Sequence, residues 1–534
     1  MDSVVFGATG FLGRWTVLHL LGRGRTVAAV VRRPGELRDW LLAHGAAVDR
    51  LTILAGDLTK GPGLGLSPAD DERLADVRDV FNSAAVYRFG LRREEATPVN
   101  VDGAVNVLQW AKTRPNLRRL VHVSGYRVGL DPRPRYPIPE DELAALYREK
   151  GAYEGSKSEA DSAVRVLAEE LEIPLTVVNP STVIGHSVTG EAGQYLGLAA
   201  LVRDLWTGKL PVLPGSARTF LPVVTVDHFA EFTTVLPELP EHDSAGRHWV
   251  LDEDTPELPA LVRLLAGHLG VRAPKLRVPA GVIRRLPTAL TGADPETLTF
   301  LTEDRYDTVS ADRVARAAGL RHPPVETALR RWADRLVADG FGDTPAALPG
   351  GFQEVAGSRA YVAGDRVSPD FVFLQGVEPG AEPWREVIAE LGPAPVLVAD
   401  LPGLGRSAPS AVAPRDWLAE LLAPVETRPV LVVHPAAAGP VIRCAAACTG
   451  RVAAVVVVPP GFVPAGSAAG PRRPGVARRT ARWLRAANEP GEREAVRVLG
   501  ESVPVRWMTG DASPAAVARE CHLGAGARRS GDPA

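Results

Sequence analysis

The 534-residue chain carries 61 basic and 63 acidic side chains, a formal net charge of -2 and 45% hydrophobic residues, a balance that excludes a disordered chain or a polyanion-capturing one. One hydrophobic core does not grow to this length, so two domains are expected. The longest apolar run, Val452 to Val458, is strand-sized, no leader pattern opens the chain, and the three cysteines Cys444, Cys448 and Cys521 cannot build a disulfide framework.

A cytoplasmic protein without membrane or nucleic-acid partners is therefore expected. Cys444 and Cys448 stand four apart with no further ligand at metal spacing, so they read as buried small side chains and no metal site is expected.

Val4 to Phe6 is a short apolar strand that runs into Gly7-Ala8-Thr9-Gly10-Phe11-Leu12-Gly13, after which Trp15, Leu18, Leu20 and Leu21 recur at helical intervals. Further strands are predicted at Thr26 to Val31, Leu51 to Leu54, Val77 to Phe81, Leu120 to Ser124 and Leu175 to Asn179, with helices over Val101 to Lys112 and Lys157 to Leu171. Strands alternating with helices specify an α/β fold, a doubly wound Rossmann-type parallel sheet covered on both faces. The alternation fades after Pro180, and residues 181–342 are expected to supply a small substrate lobe. Trp206, Tyr195 and Arg218 fall there without a pattern that orients them.

The Pro-, Gly- and Ala-rich stretch at 343–356 reads as a linker between a first domain, 1–342, and a second, 357–534. A second alternation then begins, with strands at Phe371 to Leu374, Val396 to Ala399, Val430 to Val433, Ala453 to Val458 and Val503 to Met508. Helices are predicted near Trp384 to Leu391, Trp417 to Leu422 and Val441 to Ala447.

The glycine turn has a defined physical task. Gly7 permits a tight turn, Gly10 lets the backbone approach a pyrophosphate, and Gly13 lets the following helix pack closely on the strand. Arg32 and Arg33 stand at the end of the second strand, where an NAD enzyme usually places an acid for the ribose diol. Guanidinium groups there pair with a 2′-phosphate, which favours NADP (NADPH) as cofactor.

GATGFLG, Gly56-Asp57-Leu58, Asn82-Ser83-Ala84-Ala85, Asn100-Val101-Asp102-Gly103, HVSGYRVG, Tyr153-Glu154-Gly155-Ser156-Lys157 and Asn179-Pro180-Ser181 follow in an order that resembles the extended short-chain dehydrogenases/reductases over roughly residues 1 to 250. The resemblance implies that Thr9, Phe11 and Leu12 in the turn join the glycines at the cofactor. It also implies Asp57 and Leu58 near the adenine, Ala84 and Ala85 along ribose and phosphates, a cofactor role for Asn100, and Asn179, Pro180 and Ser181 near the nicotinamide. The wording of VFNSAAVYRF, GAYEGSKSEAD and NPSTVIGHSVTGE is most similar to the thioester-reductase and fatty acyl reductase branch, with dihydroflavonol-type ketone reductases also similar.

Hydride transfer to a carbonyl builds negative charge on oxygen, which must be stabilised and protonated. Tyr153 is the candidate proton donor, and Lys157, four residues on and on the same helix face, lowers the phenol's pKa and holds the cofactor ribose. Ser124 hydrogen-bonds the substrate oxygen. Tyr126 and Tyr147 are rival phenols, but neither has a lysine four residues later.

The expected activity is NADPH-dependent reduction of a ketone, aldehyde or acyl thioester in a biosynthetic, secondary-metabolite setting, on a small-molecule or carrier-bound, largely apolar substrate. The alternatives are an epimerase or dehydratase with no net redox, and, in another class, a non-catalytic nucleotide-sensing or scaffold protein.

The second half resembles the α/β-hydrolases over about residues 352 to 512. The carrying segments are Phe371-Val372-Phe373-Leu374-Gln375-Gly376, the D-x-P-G-x-G-x-S loop at Asp400 to Ser407, and the strand leading to Asp511. Ala436 stands where the nucleophile belongs, Gln375 replaces the oxyanion-loop His, His434 replaces the elbow's first glycine, and no Ser lies between Val430 and Ala447. A methyl group cannot attack an acyl carbon, so a non-hydrolytic, truncated domain is expected. His522 has no apolar strand before it, and Ser407 and His434 are expected to pack or cap loops. Dimerisation into a homodimer, carrier docking and covering the reductase site are the roles left open to such a domain.

Overall fold

The computed structural model describes residues 1–33, 35–88, 90–130, 133–283, 298, 300–342, 348, 350–375, 384–448, 450–458, 504–508 and 513–526. Two compact units emerge. Met1–Leu198, Pro211–Leu265 and Pro274–Trp332 form the first, and Ala199–Leu210, Ala266–Ala273 and Ala333–Ala534 form the second. Among the described residues no helix is long and apolar enough to cross a membrane.

In the first unit the strands are β1 (Ser3–Phe6), β2 (Val27–Val31), β3 (Leu51–Ala55), β4 (Asp79–Asn82), β5 (Arg119–Val123), β6 (Leu175–Pro180), the short β7 (Thr182–Ile184), β8 (Leu213–Pro214) and β9 (Val223–Thr225), and β10 (Gly246–Val250). Seven of them make one sheet in the order β10-β6-β5-β4-β1-β2-β3, and every neighbouring pair is parallel. The period of two sorts side chains to opposite faces. Val5, Ala29, Phe81, Val121 and Val178 enter one core with Phe229 and Phe232, while Val4, Phe6, Val30, Val80 and Leu120 enter another with Val107, Trp110 and Val164.

The order reverses beside β1, which has β2 on one side and β4 on the other. At such a switch point the connections leave in opposite directions and open a crevice at the carboxyl ends of the strands. The glycine turn, Arg32 and Arg33, Asp57 and Leu58, and Ala84 and Ala85 follow the carboxyl ends of β1, β2, β3 and β4, and Asn179 and Pro180 are the last two residues of β6.

The region after Pro180 departs from the expected lobe. β10 joins β6 as the seventh strand, and the helix Val226–Val235 covers a sheet face through Phe229 and Phe232. The polar residues Arg247 and His248 within β10 hide its strand character from a hydrophobicity reading. Trp206, expected in the lobe, lies in the second unit with its ring 6.0 Å from that of Phe341.

After β11 (Arg277–Val278), which pairs with β8, the second unit contains β12 (Gly350–Val355), β13 (Ser358–Gly364), β14 (Phe371–Gln375), β15 (Val396–Asp400), β16 (Val430–Val433), β17 (Ala454–Val457) and β18 (Val505–Trp507). They form one sheet in the order β12-β13-β15-β14-β16-β17-β18. β12 and β13 run antiparallel, as do β13 and β15, and the remaining neighbours are parallel, so this sheet is mixed. The expected linker contains β12, whose paired glycines and two exposed polar residues disguise it as loop; only part of 343–356 lies among the described residues. Trp417 and Trp384, both fully buried, anchor cores on opposite faces, and the Trp417 indole donates to Ser358 Oγ at 3.0 Å.

Candidate active site

The turn after β1 has the backbone its sequence demands. Gly7 has φ of 77°, and a Cβ on it would stand 2.6 Å from the Ala84 nitrogen. A Cβ on Gly13 would overlap the Gly7 carbonyl, so the helix Phe11–Gly22 meets the strand at backbone contact. That helix begins at Gly10 with no side-chain cap. Its first-turn N–H groups and dipole therefore favour an anion. Thr9 and Gly10 are exposed at this edge. Phe11 instead packs with Trp15, Val226 and Ala230, and Leu12 packs beside them, so the expected contact from these two is through backbone.

Arg32 and Arg33 are exposed beyond the end of β2. The positive charge of Arg32 reaches Asp57, whose carboxyl lies below its ordinary value chiefly because it accepts hydrogen bonds from the Thr59 backbone and hydroxyl at 3.0 and 2.8 Å. Leu58 packs against Gly103, and its carbonyl accepts from Asn106 at 2.8 Å. Ala84 is half-buried beside Gly7, and Ala85 is exposed.

Asn100 lies in a π-helical turn, Pro98–Asp102, ahead of the helix Gly103–Lys112. Its amide accepts from the Val86 backbone at 2.8 Å and donates to Ser156 Oγ at 3.0 Å, tying the loop after β4 to the helix that carries Tyr153 and Lys157. This is a role in holding two segments together that sequence order alone does not show.

The helix Glu140–Glu170 is broken at Gly151, which has φ of 81° and ψ of 172°. Tyr153 therefore stands in the first turn after the break rather than before a helix starting at Lys157. Its ring is half-buried, 4.7 Å from the ring of Tyr87. Lys157, one turn later, is 5% exposed and donates to the Val123 carbonyl at 3.4 Å, at the end of β5. Ser124, the next residue of the chain, is equally buried and donates to Asp161 Oδ1 at 3.2 Å. Burial pulls the Lys157 ammonium down to about 8, opposed by the negative charges of Glu154 and Asp161. Burial likewise carries His122 down to about 3, with the Lys157 charge adding to it, so the imidazole beside Lys157 is neutral.

The rival phenols are poorly placed to donate a proton. Tyr147 donates to Glu159 Oε2 at 2.7 Å. Tyr126 is pushed well above the usual phenol range by burial, with its ring 4.4 Å from that of Tyr306.

At the end of β6, Asn179 is fully buried and its amide donates to the Gly125 carbonyl at 2.6 Å, while its Oδ1 has no hydrogen-bond partner. Ser181 Oγ is also buried without one, and Pro180 between them is half-buried. Orphaned polar atoms of this kind are costly unless a ligand completes them. Together with the uncapped helix and the glycine cradle, they fit a nicotinamide dinucleotide.

Two groups escaped the sequence reading. Asp161 sits four residues past Lys157, so the i, i+4 stripe that linked Tyr153 to Lys157 extends one step further. Glu191 gathers the helix after the glycine turn and the one after β2: it accepts from the Trp40 indole at 2.9 Å, lies 2.7 Å from His44 Nε2 and 3.4 Å from Arg14. No local pattern links it to them.

In the second unit Ser407 is fully buried, accepting from the Tyr361 N–H at 2.8 Å and donating to the Asp400 carbonyl at 2.7 Å. Both bonds close a loop. His434 is buried at the turn between β16 and the helix Pro435–Ala447, which carries Ala436 in its first turn. His522 lies on the helix Pro514–Gly526, edge-on to Phe371 at the first residue of β14, so it is at the opposite end of the strands from His434. Burial pushes the Cys444 and Cys521 thiols up to about 12, as expected of packed, unreactive cysteines. Gly376 and Asp511 lie outside the described residues.

Residues 5–233 match an NAD-binding family model described as "Male sterility protein". The chain is 27% identical over 292 residues to tetraketide alpha-pyrone reductase 1 of Arabidopsis thaliana, covering 52% of this chain and 82% of that protein. It is 29% identical over 192 residues to cinnamoyl-CoA reductase CAD2 of Medicago truncatula, covering 34% of this chain and 57% of that protein. The terminal R domain from the myxalamid PKS-NRPS biosynthetic pathway shares the fold, with TM-score 0.51 and 22% identity over 65% of this chain and 92% of that one. The family-model match and the reductase relatives support an NAD(P)-dependent oxidoreductase similar to the extended short-chain dehydrogenases/reductases in the N-terminal unit.

Proposed function

We propose that the N-terminal unit uses NADPH to reduce a ketone, aldehyde or acyl thioester of largely apolar character in a biosynthetic pathway. The observation that carries this reading is the buried Lys157, one helical turn after Tyr153 and hydrogen-bonded at the end of β5 next to Ser124. Bound NADPH would supply the hydride. As the substrate oxygen gains negative charge, the Ser124 hydroxyl turns its one hydrogen from Asp161 to that oxygen and the Tyr153 phenol protonates it. The Lys157 ammonium stabilises the phenolate left behind, in a site dry enough to make one charge count. The reductase names of the relatives support the reaction class, and cinnamoyl-CoA reductase supports including thioesters.

Mixing the chain with NADPH and either medium-chain ketones or acyl thioesters tests the proposal. Consumption of NADPH with at least one class is expected, and none with either would remove the reading.

Lys157 holds its proton below about 8 and loses it above. The phenol loses its activating charge as pH rises through that value, so kcat/KM for reduction should fall above pH 8 along a one-proton limb. A rate that is flat from pH 7 to 10 would separate Lys157 from the reaction.

The exposed Arg32 and Arg33 beyond β2 support NADPH over NADH, since guanidinium groups complement a 2′-phosphate. The double change Arg32→Ala, Arg33→Ala should weaken NADPH binding about 10- to 100-fold and leave NADH binding nearly unchanged. Equal losses for both, measured by fluorescence titration, would refute the assignment.

We read the second unit as an α/β-hydrolase-like domain without triad chemistry. Support comes from the strand-to-helix turn at His434-Pro435, where the sequence offers Ala436 in place of a hydroxyl or thiol. The position of His522 at the other end of the strands supports the same reading.

A further inference from the structure

We propose that Tyr87 is a positioning residue for proton transfer: the Tyr153 ring rests against its ring, and this contact sets the direction from which the Tyr153 hydroxyl reaches the substrate oxygen. The inference rests on the reductase reading above and gives the loop after β4 a task beyond the cofactor contacts expected of Ala84 and Ala85.

Tyr87 is carried on backbone that is tied down just before it. Ser83 Oγ donates to the Phe6 carbonyl at 3.0 Å, and the Ala84 N–H donates to Asn82 Oδ1 at 3.2 Å. Asn100 then grips Val86 at both of its backbone groups. The Val86 N–H donates to Asn100 Oδ1 at 2.8 Å, and Asn100 Nδ2 donates to the Val86 carbonyl at 3.3 Å. The second hydrogen on Nδ2 goes to Ser156 Oγ at 3.0 Å, and the Ser156 hydroxyl donates its own hydrogen to the Tyr153 carbonyl at 2.8 Å. Each hydrogen in this path is used once, so all four bonds hold together. The backbone next to Tyr87 is thereby fixed to the backbone of Tyr153, and the two rings meet with centroids 4.7 Å apart and planes at 55°. That separation lies in the range where aromatic pairs attract.

Tyr153 needs such a neighbour. A helical side chain leans back over the turn that precedes it, and for Tyr153 that turn is broken at Gly151. The ring of Tyr87 supplies a wall from outside the helix. Tyr87 is itself confined at its hydroxyl end, since a Cβ on Gly197, whose φ is 59°, would stand 3.7 Å from the Tyr87 Oη. A phenol that swings between rotamers meets the reacting oxygen only part of the time, whereas one stopped by a ring fixed to the same backbone is held in place. The step that depends on Tyr87 is therefore proton delivery, with cofactor and substrate binding carried by other groups. Phenylalanine at position 87 keeps the wall; leucine keeps apolar bulk and loses the flat ring.

The test uses the full chain with NADPH and either octanal or octanoyl-coenzyme A. In Tyr87→Leu, kcat should fall about 10- to 100-fold while KM and NADPH affinity stay within about threefold of wild type. Tyr87→Phe should restore kcat to within about threefold. The solvent deuterium isotope effect on kcat reads the proton step itself, and it should rise in Tyr87→Leu and return to the wild-type value in Tyr87→Phe. Thermal unfolding is followed in parallel, and Tyr87→Met takes the place of a leucine variant that loses its native transition. A folded Tyr87→Leu chain with wild-type kcat would overturn the proposal. So would a fall in kcat with an unchanged isotope effect, because a smaller fraction of intact molecules slows every step alike. Wild-type chain that consumes no NADPH with either compound would sink the reductase reading first, an outcome distinct from an active wild type whose kcat is indifferent to Tyr87.

Discussion

Replacing Tyr153 by Phe should lower turnover by about two to four orders of magnitude and leave NADPH affinity almost unchanged. The change deletes one oxygen. The ring that packs 4.7 Å from Tyr87 is retained, and so are the break at Gly151 and the bond from Lys157 to the Val123 carbonyl that place this helix. What disappears is the hydroxyl proposed as the proton donor. Tyr126 cannot substitute, because burial holds its phenol far above the usual range, and Tyr147 has its hydroxyl committed to Glu159. Steady-state kinetics beside a cofactor titration separate the outcomes: wild-type turnover in the variant would mean that another group protonates the product. Equal loss of affinity and turnover would mean that the hydroxyl supports binding rather than chemistry.

Gly7→Ala should do the reverse, removing cofactor binding at its source. The residue has φ of 77°, where a side chain costs about 1–3 kcal/mol, and the added methyl would meet the Ala84 nitrogen at 2.6 Å. Ala84 is backbone in the loop after β4 and cannot move aside like a flexible side chain. Either β1 or that loop must shift, opening the crevice where the order of strands reverses. A loss of NADPH affinity exceeding 100-fold is expected by isothermal calorimetry, since about 3 kcal/mol of distortion translates to that factor. The second unit, with its own sheet and cores, should retain its unfolding transition. A Gly7→Ala chain with native affinity would show that the turn is not where the pyrophosphate rests.

Much of this site was legible because its residues are local or share one backbone task. The glycine turn, the paired arginines after β2 and the Tyr153–Lys157 spacing each span only a few residues, so pattern translates into geometry. The parts that escaped are those made by distance. Asn100 bridges Val86 and Ser156, and Ser124 finds Asp161 37 positions away; neither pairing has a sequence period. Glu191 is separated from Arg14, Trp40 and His44 by more than 140 residues. β10 escaped for another reason: an edge strand can carry Arg247 and His248 when a helix and neighbouring side chains cover them, and its alternation of apolar residues is then lost. β12 has the same history, with glycines and exposed Gln353 and Glu354 where a strand usually shows β-branched residues. The α/β alternation of the second half was readable strand by strand, but the antiparallel pairing of β12, β13 and β15 was not, because chain direction leaves no mark on composition.

The central claim is that the cofactor is consumed and its hydrogen ends on the former carbonyl carbon. A single turnover with NADPH deuterated at its transferable position, analysed by mass spectrometry of the product, tests it most directly. The account predicts one deuterium per product and an equal amount of NADP⁺. Product formed without label, with the reduced cofactor still present at the end, would contradict it.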